Sequence, residues 1–526
     1  MKDIEQRRRD FLKAAGAAVA TATMPAAITA ASAQTSRSTT MASLDYRGAR
    51  ELAVQLAARE VSSVELVNAT IARIEALDGK LNAVVVRDFE NARASATEAD
   101  AALAKGERKP LLGLPMTVKE AFNVAGLPTT WGVPRAKGRL VADDAASVAR
   151  LKAAGAIILG KTNVPLMLSD WQSYNDIYGT TNNPWDVART PGGSSGGAAA
   201  ALAAGFVPLE LGSDIGGSLR APAHYCGVFA HKPTHGLVPS RGHTPPGARA
   251  LPMEVDLGVV GPMARSADDL MLALDILAGP DEPLATGYRL ALPPPRHEAL
   301  KDYRVLILDT HPLLPIAATV RTAIGRLADS LAKAGATVAR SSPLLPDLTL
   351  IARTYQTLLG AFLGADIPIE VYGRMQLGAA SLAADDNSLD AVTTRSFIAS
   401  HRDWIWADRV RNGLAGYWRA LFREFDVVVC PIMPTPAFPH DHTEQRTRKI
   451  DIDGTPYPYL HQAVWAGVAT LTGQPATAVP IGRSDGGLPI GVQIVGPYLE
   501  DRTTIAFAGL IEREFGGFVA PPGYAG

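Results

Sequence analysis

Sulfur crosslinks have little to offer this chain. Among 526 residues only Cys226 and Cys430 occur, so at most one disulfide can form, and a core of this size does not need one. Two buried free thiols are expected. Net charge is nearly absent too, with 51 Lys and Arg against 52 Asp and Glu, which removes the basic footprint of a nucleic-acid binder. Charged residues make up 20% and hydrophobic ones 47%, a balance that excludes both a disordered chain and a membrane bundle. No apolar run after the N-terminal segment is long enough to span a bilayer, so stable membrane insertion is not expected. Interior repeats, proline-rich linkers and long charge runs are also missing. One large domain is the expectation.

What is present begins with a targeting pattern. "RRRDFLKAAGAAVATATMPAAITAASA" runs from a basic start with Arg8 and Arg9, through a mildly apolar alanine-rich stretch, to the small residues Ala31-Ser32-Ala33. It resembles a twin-arginine export signal over residues 1–33, and implies a periplasmic or secreted protein. Residues 34–42, "QTSRSTTMA", are small and polar and read as a flexible lead-in. The domain proper is expected over 43–520.

Inside that domain helix and strand alternate. Ser62 and Glu65 have capping-box spacing, and Val64, Val67, Ile71, Ile74 and Leu77 follow at helical steps. Strands are expected at 81–86, 156–160, 303–309 and 426–431. A helix closed by Gly335 spans 317–334, and a final hairpin turns at "RSDGG". The fold class is α/β: a single domain whose mixed, mostly central sheet is covered by helices on both faces, with a helical insertion at about 345–420.

Chemistry concentrates in two glycine-rich loops, "PGGSSGGAAAALAAG" at 191–205 and "GSDIGGSLR" at 212–220. Three readings are open. Gly192 to Gly196 fits G-x-S-x-G, the elbow of an α/β-hydrolase esterase, but "TTNNPWDVARTP" before it is loop chemistry where that motif needs a strand. Either loop alone reads as an ordinary turn at a helix start; two of them 24 residues apart are harder to dismiss. The third reading adds a base. A serine hydroxyl needs a proton acceptor, and a lysine serves if burial strips its hydration and keeps it neutral. "GLPMTVKEAFNVAG" puts Lys119 at the end of an apolar run.

With "TNVPLM", "GTTNNPWD", "TPGGSSGG" and "LGSDIGGSLRAPAHYCGVFAHKPT", that block resembles the consecutive signature blocks of the amidase signature family. The resemblance covers nearly all of the chain after residue 46. It implies Ser218 as nucleophile, Ser194 as a bridging serine preceded by a cis peptide bond, and Lys119 as base. It further implies an oxyanion hole from the backbone N–H groups of Ile215, Gly216, Gly217 and Ser218, and a substrate contact at Leu168. Ser195 would support the relay, and Asp214 and Arg220 would brace the nucleophile loop. Trp171, Tyr174 and Tyr178 are read equally as pocket or core. Glu120 and Ala198 depart mildly from the family's Asp and Ser.

The expected activity is hydrolysis of linear carboxylic amides through a seryl acyl-enzyme, on a small-molecule substrate, with no cofactor and no metal. A homodimer is left open, and the acyl and amine groups are not specified. A histidine base from His224, His231 or His235 is an open alternative. "HDHTE" at 440–444 reads as a solvent loop, and Ser330 to Lys333 matches S-x-x-K without its partner motifs. A non-catalytic exported binding protein of the same fold is the remaining alternative.

Overall fold

The computed structural model describes residues 46–250, 254–282, 284–365 and 367–525. The expected export segment 1–33 and lead-in 34–42 lie outside the described residues. Eleven strands form one sheet. In chain order they are β1 (Val84–Arg87), β2 (Pro115–Lys119), β3 (Ile157–Thr162), β4 (Leu209–Asp214), β5 (Phe229–Lys232), β6 (Val259–Ala264), β7 (Arg304–Ile307), β8 (Thr337–Ala339), β9 (Val427–Pro431), β10 (Ala476–Arg483) and β11 (Pro489–Val495). Their spatial order is β1-β3-β2-β4-β6-β5-β10-β11-β9-β7-β8. Parallel pairs at β3-β2-β4 and β9-β7-β8 enclose antiparallel ones, so the sheet is mixed.

The inner strands β2, β3, β4, β6, β9 and β11 are buried along their whole length. Helices flank the sheet, which is why most of these strands read as continuous apolar runs with no alternation. One of them escapes hydrophobic patterning. In "LELGSD" glycine, serine and two carboxylates interrupt β4, and tertiary burial decides against local propensity.

The segment around 345–420 carries four helices, Leu348–Gly364, Ile369–Ala380, Leu389–Ser396 and His401–Glu424. The first packs on the helix Ala463–Thr470, which lies beside the site. The packed chain runs past 520: the Tyr46 hydroxyl donates to the Tyr524 carbonyl at 2.8 Å. Among the described residues no helix is long and apolar enough to cross a membrane.

Ser62 and Glu65 form the full capping box of the helix Ser63–Leu77, with the Ser62 side chain accepting from the Glu65 N–H and the Glu65 carboxylate accepting from the Ser62 N–H. Ser62→Ala should lower stability by about 1 kcal/mol, read as a shifted urea midpoint with turnover intact.

Candidate active site

β2 and β4 run side by side and parallel, with Val118 opposite Leu211. β2 therefore delivers Lys119 beside the end of β4, where Ser213 and Asp214 emerge. Lys119 has no exposed surface. Its Nζ lies 2.6 Å from Ser194 Oγ and 2.9 Å from Ser213 Oγ. Burial lowers its pKa to about 7, against an opposing pull from the Asp214 charge.

A depressed lysine is not by itself diagnostic in this fold. Lys161 and Lys232 are equally buried, and burial lowers them to about 8 and about 7. Their amines hold backbone carbonyls, those of Pro128 and Pro233, and Lys161 also donates to Thr129 Oγ1. Of the three, Lys119 alone faces serine hydroxyls.

Ser194 stands just before the helix Gly196–Ala203, and the Gly193–Ser194 peptide bond is cis. Gly193 is needed for close approach: a Cβ there would lie 2.2 Å from the Asp170 carbonyl oxygen and 2.9 Å from the Trp171 carbonyl carbon. Gly192 meets Pro222 beyond Ser218, whereas Gly193, Gly196 and Gly197 meet the 170–172 backbone, Ser173 and Asn163. Ser195 joins the two loops, its N–H donating to the Ser218 carbonyl at 3.2 Å and its hydroxyl to the Ser213 carbonyl at 3.3 Å.

Ser218 occupies a turn between β4 and the helix Arg220–Cys226. The strand-turn-helix context missing before Ser194 is present here. Asp214 organises this turn by accepting from the N–H groups of Gly217 at 2.8 Å and Leu219 at 3.1 Å, and from the Arg220 guanidinium at 3.0 and 2.9 Å. Burial would raise the Asp214 pKa, but the Arg220 charge and hydrogen bonds outweigh it and hold it at about 2. Arg220 also donates to the Gln493 side chain, Thr470 Oγ1 and the Ala466 carbonyl. Asp214 and Arg220 are thus bracing ions.

One expected oxyanion donor is otherwise engaged. The Gly217 N–H belongs to Asp214, so the donors without an acceptor among the described residues are Ile215, Gly216 and Ser218. Across residues 190–234 only Ile215 and Gly216 escape burial, which places the opening of the site at those donors. Ser218 is 6% exposed, and its Oγ makes no hydrogen bond among the described residues.

The other candidates separate clearly. The Trp171 indole donates to the Gly216 carbonyl at 2.9 Å. Tyr174 stacks on His442 and accepts from Arg448, and Tyr178 donates to Glu120, so neither reaches the Ser218 loop. Leu168 is half-buried at the end of a 3₁₀ turn with φ 59° and shares no hydrogen bond with that loop. The ring nitrogens of His224 bond to Gly491 and Thr435, those of His231 to Thr477 and Asp501, and His235 Nε2 to the Val255 carbonyl. None of the three hydrogen-bonds to Ser194 or Ser218. Lys333 is exposed on its helix, away from any such partnership. Cys226 and Cys430 are buried free thiols. Ser213 is the site residue that motif reading missed. Its signal was its place five residues before Ser218, at the end of a strand not recognised as one.

A mixed-sheet α/β domain that brings a buried lysine amine to two glycine-flanked serine loops defines a class of amide-cleaving enzyme. Residues 65–505 match the family described as Amidase, and the chain belongs to this amidase signature family. It is 34% identical over 497 residues to one subunit of the glutamyl-tRNA(Gln) amidotransferase of Anaeromyxobacter sp. (strain K), covering 90% of this chain and 97% of that one. It is 32% identical over 497 residues to fatty-acid amide hydrolase 2-A of Danio rerio, covering 90% and 89%. A solved chain from a vestigial complex tied to the origins of an s-triazine catabolic enzyme superposes with a TM-score of 0.75 at 29% identity, over 90% of this chain and 100% of that one.

Because Asp214 and Arg220 neutralise one another out of contact with water, removing either charge strands the other. Asp214→Asn should cost about 3–5 kcal/mol of stability, measured by urea denaturation, and should take activity down with the turn that Asp214 holds.

Proposed function

We propose that this chain is a serine amidase that hydrolyses linear carboxylic amides, with Ser218 as nucleophile, Ser194 as proton relay and Lys119 as base. The observation that carries the reading is the easily neutralised amine of Lys119, sealed from water and 2.6 Å from Ser194 Oγ. A hydroxyl is both donor and acceptor, so Ser194 can pass its own proton to Lys119 while taking one from Ser218. The Ser218 hydroxyl has no hydrogen-bond partner among the described residues, and in this scheme the second leg closes on substrate binding, as catalytic hydrogen bonds commonly do.

Attack of Ser218 Oγ on the carbonyl carbon forms a C–O bond and places negative charge on the carbonyl oxygen. The N–H groups of Ile215, Gly216 and Ser218 meet that charge, each such donor being worth about 2.7–4 kcal/mol in the transition state. The proton held on Lys119 returns through Ser194 to the leaving nitrogen as the C–N bond breaks. Water then attacks the acyl ester by the reverse route and frees the acid. No metal or cofactor has a part in this scheme.

A free-standing hydrolase is favoured over an ammonia-transferring subunit by the N-terminal segment, which reads as an export signal and suits a periplasmic or secreted enzyme. Fusing residues 1–33 to a reporter that is exported only when folded checks this, and replacing Arg8 and Arg9 by Lys should retain the reporter inside the cell.

The purified chain, alone, should release amine from at least one member of a panel of aryl, aliphatic and peptide amides and take up a fluorophosphonate label. Ser218→Ala should abolish both, and Lys119→Ala should lower kcat/KM by about 10²–10⁴-fold. Since the base works only when neutral, wild-type activity should fall as pH drops below about 7. A protein that takes no label and releases no amine overturns the assignment.

A further inference from the structure

The peptide planes at 215–217 are gripped from behind by two side chains drawn from distant parts of the chain. The Tyr355 hydroxyl donates to the Ile215 carbonyl at 2.7 Å, across 140 residues, and the Trp171 indole donates to the Gly216 carbonyl at 2.9 Å. Tyr355 is fully buried while Ile215 and Gly216 are not, so the Ile215 carbonyl points into the protein. In a trans peptide the C=O of one residue and the N–H of the next point in opposite directions. The hydroxyl that holds the Ile215 oxygen inward therefore holds the Gly216 N–H outward, toward the open side of the turn, where it has no acceptor among the described residues.

We propose that Tyr355, on the first helix of the insertion, is a positioning residue for catalysis: it locks the Gly216 N–H in the orientation that receives the oxyanion. The inference rests on the reading of Ser218 as nucleophile. Tyr355 itself touches no reacting atom; it acts through one peptide plane. Its ring lies close against the helix Ala463–Thr470 because residue 467 is glycine. A Cβ on Gly467 would sit 2.8 Å from Tyr355 Cδ1 and 3.0 Å from Cγ. The insertion, which packs on the helix Ala463–Thr470, thus enters the chemistry by supplying the hydroxyl that orients a donor on a loop far from it in sequence.

Two full-length variants test this, Tyr355→Phe and Gly467→Ala, one removing the hydroxyl and the other displacing the ring. Both are assayed on an anilide that the wild type cleaves, and by titration with a trifluoromethyl ketone, whose adduct with Ser218 bears the same oxyanion. A misdirected donor should lower kcat about tenfold with KM within about twofold, and ketone affinity should weaken by the same factor as kcat/KM. A purely structural role would shift the melting temperature without that parallel loss. A folded Tyr355→Phe that keeps its kcat and its ketone affinity overturns the proposal, as does a rise in KM alone, which would make Tyr355 a substrate contact. If Tyr355→Phe does not fold, Gly467→Ala decides on the same readouts. A wild type that cleaves no anilide and forms no ketone adduct refutes the amidase reading itself, not merely the role of Tyr355.

Discussion

An ammonium ion loses several kcal/mol of hydration when it leaves water, and Lys119 ends its strand with none of its surface exposed. That loss is the constraint around which the site is arranged. It is opposed by Asp214, whose negative charge would favour the protonated amine. Arg220 answers Asp214 at 2.9 and 3.0 Å, so much of the carboxylate's field is cancelled before it reaches the lysine. The buried ion pair therefore braces the turn mechanically and also permits a neutral amine nearby. The protein carries a cost for this. The unfolded lysine binds a proton up to its ordinary pKa near 10.5 and the folded one only to about 7, so the burden on stability is full below about 7 and fades as pH rises toward 10.5. The same proximity holds His243 neutral, with burial first and the Lys119 charge second pushing its pKa to about 3.

Convergence of chain segments explains why so many polar groups can sit in the interior. Lys119 comes from β2, Ser213 and Asp214 from β4, Ser194 from a loop ahead of one helix and Ser218 from the turn ahead of another. Several of these polar groups find partners on other segments: Lys119 on Ser194 and Ser213, Ser195 on Ser218 and Ser213, Arg220 on Gln493 and Thr470. Buried networks of this kind are stable only when almost fully satisfied. The contrast within the site follows: the bracing groups are fully paired, while the three N–H groups at the opening and the Ser218 hydroxyl have no partner among the described residues. Unpaired groups in an otherwise satisfied network mark where a ligand belongs.

Much of the architecture was legible because hydrophobic periodicity carries it. The capping box at Ser62, the helix closed by Gly335 and the hairpin at "RSDGG" are local signals with local causes. The serine loops and Lys119 were legible as residue types in a spaced pattern, and the structure brings Lys119 against Ser194 directly. β4 was not legible, since its glycine, serine and carboxylates look like loop chemistry and are tolerated only because neighbouring strands and helices bury them. With β4 unseen, Ser213 could not be placed beside Lys119. The engagement of the Gly217 N–H by Asp214 was not legible for a related reason: which N–H a carboxylate three residues away will claim depends on the turn's three-dimensional path. Tyr355 leaves no local mark at all, being one tyrosine in an amphipathic helix whose partner lies 140 residues earlier.

The segment bearing Trp171 shows how far the dependence extends. Asp170, next to it, is fixed by Arg448 at 2.6 Å and by the Tyr459 hydroxyl at 2.7 Å, all three buried. Tyr459 in turn meets the Trp171 ring edge-on at 5.4 Å. Trp171 can therefore hold the Gly216 carbonyl only in the frame set by an ion pair whose two members lie 278 residues apart. An isolated surface pair would be worth too little to fix such a frame. A desolvated pair whose members each hold a further hydrogen bond, Asp170 from Tyr459 and Arg448 to Tyr174, has few alternative geometries. Its value here is the uniqueness of the arrangement more than net stability. The peptide planes behind the opening at Ile215 and Gly216 are consequently held by Tyr355 of the insertion and by Trp171 of the strapped 170s segment, both outside the serine loops. Variation in those two supports can reorient the turn while the lysine and its two hydroxyls stay where burial has put them.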